Sequence, residues 1–240
     1  MSSKIGLNLI TNYSINFSLP IRNKRLIKFI IIHYTGMKKQ SSAIKKLCDP
    51  KSKVSTHYFI TNNGKIINMV PDLYEAWHAG KSKWKNFKSI NKYSIGIEIN
   101  NPGHQHGYKN FGLKQISSLK KLLKYLIKKY NIKTQYILGH SDIAPNRKKD
   151  PGEKFPWKEL AKKNLCLWYN LNGKTIKKLR KKWVGVKTEK NFIKNLHKIG
   201  YFKYSKKSLI NAFQRRFRQD LVNGVIDQEC FLISKNLTKS

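Results

Sequence analysis

The chain has 240 residues, enough for one enzyme-sized domain with a small second one. Fifty Lys and Arg against twelve Asp and Glu give a formal net charge of +38, while 40% of residues are apolar and 12% aromatic. That balance excludes a low-hydrophobicity disordered chain, and its short apolar runs, such as FIII at 29–32, exclude a helical membrane span, which needs about 18 apolar residues in a row.

The first thirty residues hold Lys4, Arg22, Lys24 and Arg25 but no uninterrupted apolar block of the length a secretory signal needs. Residues 28–33 (KFIIIH) read as a buried strand that ends in a histidine. Residues 58–61 and 65–70 flank Asn62-Asn63-Gly64, a hairpin signal. Residues 94–100 (SIGIEIN) alternate, with Ile95, Ile97 and Ile99 on one face and Glu98 on the other. From 114 to 130, Ile116, Leu119, Leu123, Leu126, Ile127 and Tyr130 recur at helical spacing with lysines largely opposite. Residues 136–139 (YILG) give a second buried strand, followed directly by His140. Strands alternating with helices as far as about Leu160 imply an α/β domain; beyond about Lys174 the pattern is helical only.

Charge alone invites a nucleic-acid reading. The basic residues, however, are 43 Lys and only 7 Arg, whereas a dedicated reader of phosphate and base edges favours the planar Arg fork. The expectation is therefore no specific nucleic-acid partner, with nonspecific attraction to polyanions, cell-wall polymers and anionic membrane surfaces. Cys48, Cys166 and Cys230 are odd in number, far apart and without a CxxC pair, so they define neither a disulfide framework nor a zinc knuckle.

Two strands that each lead into a histidine raise a chemical question, because ligands in open α/β sheets bind beyond the carboxyl ends of the strands. His33 and His140 can meet there, and ten residues after His140 a turn-rich stretch (HSDIAPNRKKDPG) ends in Asp150, which such a loop can fold back beside its first residue. Two imidazoles and one carboxylate, with a fourth position open, are the ligand count of a catalytic zinc site. They also describe a non-haem Fe(II) site. Read singly, each His can equally be a satisfied core residue and Asp150 a turn residue before Pro. Glu98, a carboxylate in an otherwise apolar strand, is a candidate general acid or base if it faces a cleft and an edge charge if it faces solvent.

Five blocks together resemble a known family: FIIIHYTG around His33, STHYFITNNGKI around His57 and Tyr58, AWHAGKS around Trp77 and His78, SIGIEI around Glu98, and GHSDIAPNRKKDPG from His140 to Asp150. Over about residues 28–160 the chain resembles the zinc-dependent N-acetylmuramoyl-L-alanine amidases of the type 2 superfamily, which also holds the peptidoglycan recognition proteins. The last block is most similar to the Gram-negative branch that cleaves muropeptides, 1,6-anhydro forms included; that branch often has Gly where this chain has Asn146, a residue turns also tolerate. The resemblance implies a mixed central sheet flanked by helices, one Zn²⁺ held by His33, His140 and Asp150, Glu98 as the proton-transferring carboxylate, and Lys148 as the cation facing the oxyanion. It further implies a cleft lined by Trp77 and His78, with Tyr58 as another substrate-binding candidate and Arg147 as a partner for a stem-peptide carboxylate. His104 and His106 mimic an HxH metal pair but match no family position, and are expected over the cleft as loop residues. The expected reaction cleaves the amide between N-acetylmuramic acid and L-Ala of the stem peptide, so the expected partners are peptidoglycan or muropeptides. A protein that keeps the fold but only binds peptidoglycan is the competing class; such proteins typically lose metal ligands, and all three are present here.

Residues 191–232 (FIKNLHKIGYF, SLINAFQRRFR, VNGVIDQECF) resemble the small three-helix peptidoglycan-binding module, with Phe213, Gln214 and Gly224 as the most specific matches. The expected organisation is a catalytic domain at 1–173, a basic linker at 174–190 and an all-α three-helix module at 191–240. The binding module points to the cell envelope, and the missing signal to the cytoplasm; the envelope is the expectation.

Overall fold

The structure is a computed structural model that describes residues 9–11 and 13–239. In chain order it contains β1 (Leu9–Thr11), β2 (Phe17–Ser18), β3 (Phe29–Tyr34), α1 (Gln40–Cys48), β4 (Tyr58–Ile60), β5 (Ile66–Asn68), β6 (Glu75–Ala76), β7 (Lys83–Trp84), β8 (Phe87–Lys88) and β9 (Ser94–Ile99). There follow α2 (Leu113–Tyr130), β10 (Ile137–Gly139), α3 (His140–Ile143), α4 (Trp157–Ala161), α5 (Gly173–Lys177), α6 (Val186–Ile199), α7 (Lys206–Phe217) and α8 (Gln228–Leu237).

Six strands form one mixed sheet in the order β1-β5-β4-β9-β3-β10. Only the β4–β5 hairpin is antiparallel, turned by Asn62-Asn63-Gly64 with Gly64 at φ +83°; the other neighbours run parallel. Parallel strands are covered on both faces, which is why residues 29–32 of β3 are all apolar rather than alternating. Strand alternation then sorts its residues. Ile30 and Ile32 join Ile95, Ile97, Ile99 and Ile137 under α2, which lays down Ile116, Leu119, Leu122, Leu123 and Leu126 as one buried stripe. Burying each such side chain contributes about 1.5–3 kcal/mol. The helix ends at Asn131, in the left-handed conformation that commonly closes helices.

The opposite face is shared. Phe59, Ile67 and Met69 pack under α1 through Ala43 and Leu47, while Phe29, Ile31 and Leu138 pack under the C-terminal helices through Phe192, Leu196, Leu209, Phe213 and Phe217. A cleft opens at the carboxyl end of β3, walled on one side by Ala43, Lys46 and Leu47 of α1 and on another by residues 147–150. Among the described residues no helix is long and apolar enough to cross a membrane. Cys166 and Cys230 are buried among apolar side chains.

Residues 174–190, expected as a basic linker, carry most of α5 and bury Ile176 and Val184 in the same core as the sheet. The C-terminal helices are also bolted to the catalytic part by a buried polar junction. Arg216 of α7 donates to Asp142 Oδ2 (2.6 Å) and the Ile137 carbonyl (2.9 Å), and stacks over Trp157. Tyr201 donates to Asp142 Oδ1 (2.7 Å). Removing one member of a buried pair strands the other, at a cost of about 3–5 kcal/mol. Arg216→Ala is therefore expected to destabilise the whole chain by about that amount, measured by urea unfolding followed by both tryptophan fluorescence and circular dichroism, with the two probes coincident in a single transition. A variant in which the C-terminal helices melt separately while the rest keeps its midpoint would contradict this shared core.

Candidate metal centre and active site

The parallel pairing of β3 and β10 brings two histidines to one place. Gly139 lies beside Ile32, and the residue that follows in each strand is His140 and His33, at the carboxyl end of the sheet. After α3 the chain turns through Pro145 and Asn146 and returns, closed by the Ser141 amide donating to the Asp150 carbonyl (2.8 Å). Asp150 Oδ2 thereby sits 3.0 Å from both His33 Nδ1 and His140 Nδ1, and those two nitrogens are 2.9 Å apart. All three residues are buried, and among the described residues they form a group close enough to hold a metal ion.

The donor set fits a cation. Burial, then the neighbouring His140 ring, brings His33 down to about 4, so its imidazole is neutral at ordinary pH. Burial alone would raise the Asp150 carboxyl, but its contacts with His140 and His33 outweigh that and keep it ionised. His140 Nε2 faces the Ala79 carbonyl at 3.1 Å, a group that can only accept, so Nε2 is the donor there and Nδ1 is the atom turned toward Asp150. Two imidazole nitrogens and a carboxylate oxygen converging on one buried point are a donor set that suits a bound cation.

Glu98 stands beside His33 in the β3–β9 register and lines the same cleft, which measures about 420 Å³. One carboxylate oxygen, Oε2, is covered and has no hydrogen-bond partner. Burial, followed by the charge of Asp150, pushes Glu98 up to about 8 against the opposing pull of Lys148 and Lys46. It is thus a carboxylate with raised proton affinity, the property a general base uses. Lys148 lines the cleft, and its charge acts on both Glu98 and His33.

The remaining candidates divide. Trp77 lines the cleft, its indole N–H donating to Ser18 Oγ (2.8 Å). His78 lines the cleft as well, and it also backs His33, its Nδ1 3.0 Å from His33 Nε2. Tyr58 is corrected. Strand alternation turns it onto the α2 face, where its hydroxyl donates to Asp72 (2.7 Å) away from the metal ligands. Arg147 lines the cleft, but its guanidinium donates to the carbonyls of Lys81 (2.9 and 3.1 Å) and Ala79, so it latches the metal loop onto residues 79–81 instead of waiting for a carboxylate. His57 is occupied by the Gly96 amide and the Tyr74 carbonyl.

His104 stands over the cleft, as its loop suggested, but its partners there were not visible in the sequence. Tyr34 meets His104 Nδ1 at 2.8 Å, and His104 Nε2 meets Glu153 at 3.1 Å while the ring stacks on Tyr108. His104 lines the cleft without joining the three ligands. The available signals were Tyr34 directly after a ligand and Glu153 three residues after another.

Residues 23–153 match the family described as N-acetylmuramoyl-L-alanine amidase. The N-acetylmuramoyl-L-alanine amidase AmiD of Escherichia coli K12 is 36% identical over 239 aligned residues, covering 88% of this chain and 82% of that protein. A solved complex of E. coli AmiD with the substrate anhydro-N-acetylmuramic acid-L-Ala-D-γ-Glu-L-Lys superposes with a TM-score of 0.80 at 32% identity, covering 92% of this chain and 91% of that one. AmpDh3 of Pseudomonas aeruginosa in complex with anhydromuramic pentapeptide gives a TM-score of 0.78 at 28% identity, covering 92% and 94%. Shared sequence over nearly the whole length, and a fold whose cleft gathers two histidines, an aspartate and a half-buried glutamate, establish that the chain belongs to the N-acetylmuramoyl-L-alanine amidase family.

Proposed function

We propose that this protein hydrolyses the amide bond between N-acetylmuramic acid and L-Ala of the peptidoglycan stem peptide, 1,6-anhydro-muropeptides included, with one Zn²⁺ held by His33, His140 and Asp150. The carrying observation is the convergence of two imidazole nitrogens and a carboxylate within 3.0 Å of one another beside Glu98, whose covered Oε2 has no hydrogen-bond partner. Zinc is preferred over iron because amide hydrolysis needs a Lewis acid and no redox change.

Zn²⁺ in such a site supplies polarisation of the scissile carbonyl and acidification of a water. The protein's own groups do the rest. Glu98 takes the proton of the attacking water and delivers it to the departing amine of L-Ala, a double duty suited to a carboxyl poised near 8. Lys148 holds negative charge as it develops on the carbonyl oxygen; one such contact in a water-poor cleft contributes on the order of 3 kcal/mol. Trp77 forms part of the cleft wall beside these groups.

Residues 191–240 serve, in this reading, as a peptidoglycan-holding module that raises the local concentration of substrate. The motif residues that carried that resemblance are built into its frame. Phe213 is core, and Gln214 donates to the Val225 carbonyl (2.7 Å) and accepts from the Asn223 and Gly224 amides (2.9 Å each), clamping the turn in which Gly224 takes φ +71°. A polymer-holding unit suits an enzyme of the cell envelope, and cleavage of intact sacculi in preference to soluble anhydro-muropeptides is the corresponding expectation.

Chelator treatment is expected to abolish release of L-Ala-terminated stem peptides from muropeptides, read by mass spectrometry, and Zn²⁺ to restore it; chelator-resistant cleavage would contradict the metal assignment. Glu98→Gln is expected to lower kcat by about 10²–10⁴-fold with zinc content unchanged. Lys148→Met is expected to lower kcat by about 10²-fold with KM little changed. Full activity in the Glu98 variant would remove that residue from the chemistry.

A further inference from the structure

We infer that Ser94 and His78 form a directed hydrogen-bond relay that fixes His33 as its Nε2–H tautomer, so that Nδ1 presents a lone pair to the metal position before any metal arrives. The inference rests on the reading of His33 as a ligand and deepens it by assigning positioning roles to Ser94, His78 and Gly96.

The direction follows from counting protons. Ser94 Oγ lies 2.7 Å from the Ile90 carbonyl oxygen, which can only accept, so the one hydroxyl proton points there. Toward His78 Nε2, 3.1 Å away, Ser94 is then an acceptor, and His78 carries its proton on Nε2. A neutral imidazole has one N–H, so His78 Nδ1 is bare. It faces His33 Nε2 at 3.0 Å, which must donate, and His33 Nδ1 is left with the lone pair that points toward Asp150 and His140. Reversing the relay would set two oxygens 2.7 Å apart with no proton between them and would aim a proton from His33 into the metal position.

Unlike a carbonyl, an imidazole partner can either donate or accept, so His78 alone cannot choose the tautomer of His33. Ser94 and the Ile90 carbonyl make the choice. The second ligand is set more simply: His140 donates to the carbonyl of Ala79, the very next residue after His78. A dipeptide, His78-Ala79, therefore orients both imidazole ligands. It is held by the turn at residues 90–93, whose Asn91 side chain accepts from the Ala79 amide (2.7 Å) while Ile90 anchors Ser94. Gly96 completes the arrangement, since a Cβ there would lie 2.4 Å from His78 Cγ, far inside contact distance. The glycine in SIGIEI is thus the space into which the His78 ring fits.

The test uses the full-length protein. In zinc-free, ¹⁵N-histidine-labelled protein, two-bond ¹H–¹⁵N correlations are expected to show His33 as the Nε2–H tautomer. Ser94→Ala, which deletes one oxygen, is expected to give a mixed His33 tautomer and to weaken Zn²⁺ binding by about 10- to 100-fold in competition with a chromogenic chelator. His78→Phe keeps the ring volume without the acceptor and is expected to do the same, while His78→Asn, whose amide oxygen can replace Nδ1, is expected to recover most of the affinity. Gly96→Ala is expected to behave like His78→Phe, with circular dichroism confirming that each variant folds. A wild-type His33 protonated on Nδ1, or a Ser94→Ala variant with unchanged tautomer and unchanged zinc affinity, overturns the relay. Wild-type protein that shows the Nε2–H tautomer but binds no zinc upholds the relay and overturns the metal reading instead.

Discussion

Two imidazole nitrogens and a carboxylate oxygen, held within 3.0 Å of one another in a buried place, constitute the constraint on which the rest of the structure turns. The His140 ring is committed to the Ala79 carbonyl through Nε2, and Asp150 is ionised, yet Nδ1 and the carboxylate face each other at 3.0 Å. Such an arrangement is costly unless a cation occupies the common point. The protein invests much of its architecture in it: two adjacent parallel strands to bring the histidines level, a loop closed by the Ser141–Asp150 backbone bond to return the carboxylate, and a latch from Arg147 across to residues 79–81.

Support for the site extends into the C-terminal helices. Asp142, two residues after His140, receives Arg216 and Tyr201 from the helical region, so the loop that carries two of the three candidate ligands is braced by a part of the chain that contributes none of them. The same helices cover the second face of the sheet next to the cleft. Catalytic and C-terminal regions therefore act as one packed body, and any polymer-holding role of the helices is exercised from a fixed position relative to the cleft, without a tether. The charge of +38 acts on a different scale, raising the local concentration of anionic polymer around the whole molecule.

The central strands and the long helix were legible in local pattern, whereas His33, His140 and Asp150, each readable singly as a core or turn residue, were joined as a candidate ligand set by the family resemblance. KFIIIH read as a buried strand, SIGIEIN alternated, and a turn-rich stretch of ten residues could fold back on His140. What was not legible depended on which side of the sheet a residue faces. Tyr58 adjoins a conspicuous block, yet strand alternation sends it to Asp72 on the opposite face. Arg147 has the chemistry to clamp a carboxylate, but nearby backbone carbonyls claim it first, a competition visible only once residues 79–81 are placed. His78 lines the cleft as expected, but its contact with His33 was not legible, because nothing in the spacing of WHAG tells that Gly96 opens room for its ring behind His33. The helical region read correctly as helices, but the exposed, lysine-rich look of residues 174–190 hid Ile176 and Val184, which tie it into the core.

The most direct test of the account is an anomalous difference map recorded on either side of the zinc edge from crystals of the purified protein. One zinc peak is predicted, about 2.0–2.1 Å from Nδ1 of both His33 and His140 and about 2.0–2.2 Å from a carboxylate oxygen of Asp150, with Glu98 nearby but outside bonding distance. A peak bound through the Nε2 atoms, a peak elsewhere in the molecule, or a catalytically active crystal form with none would contradict it.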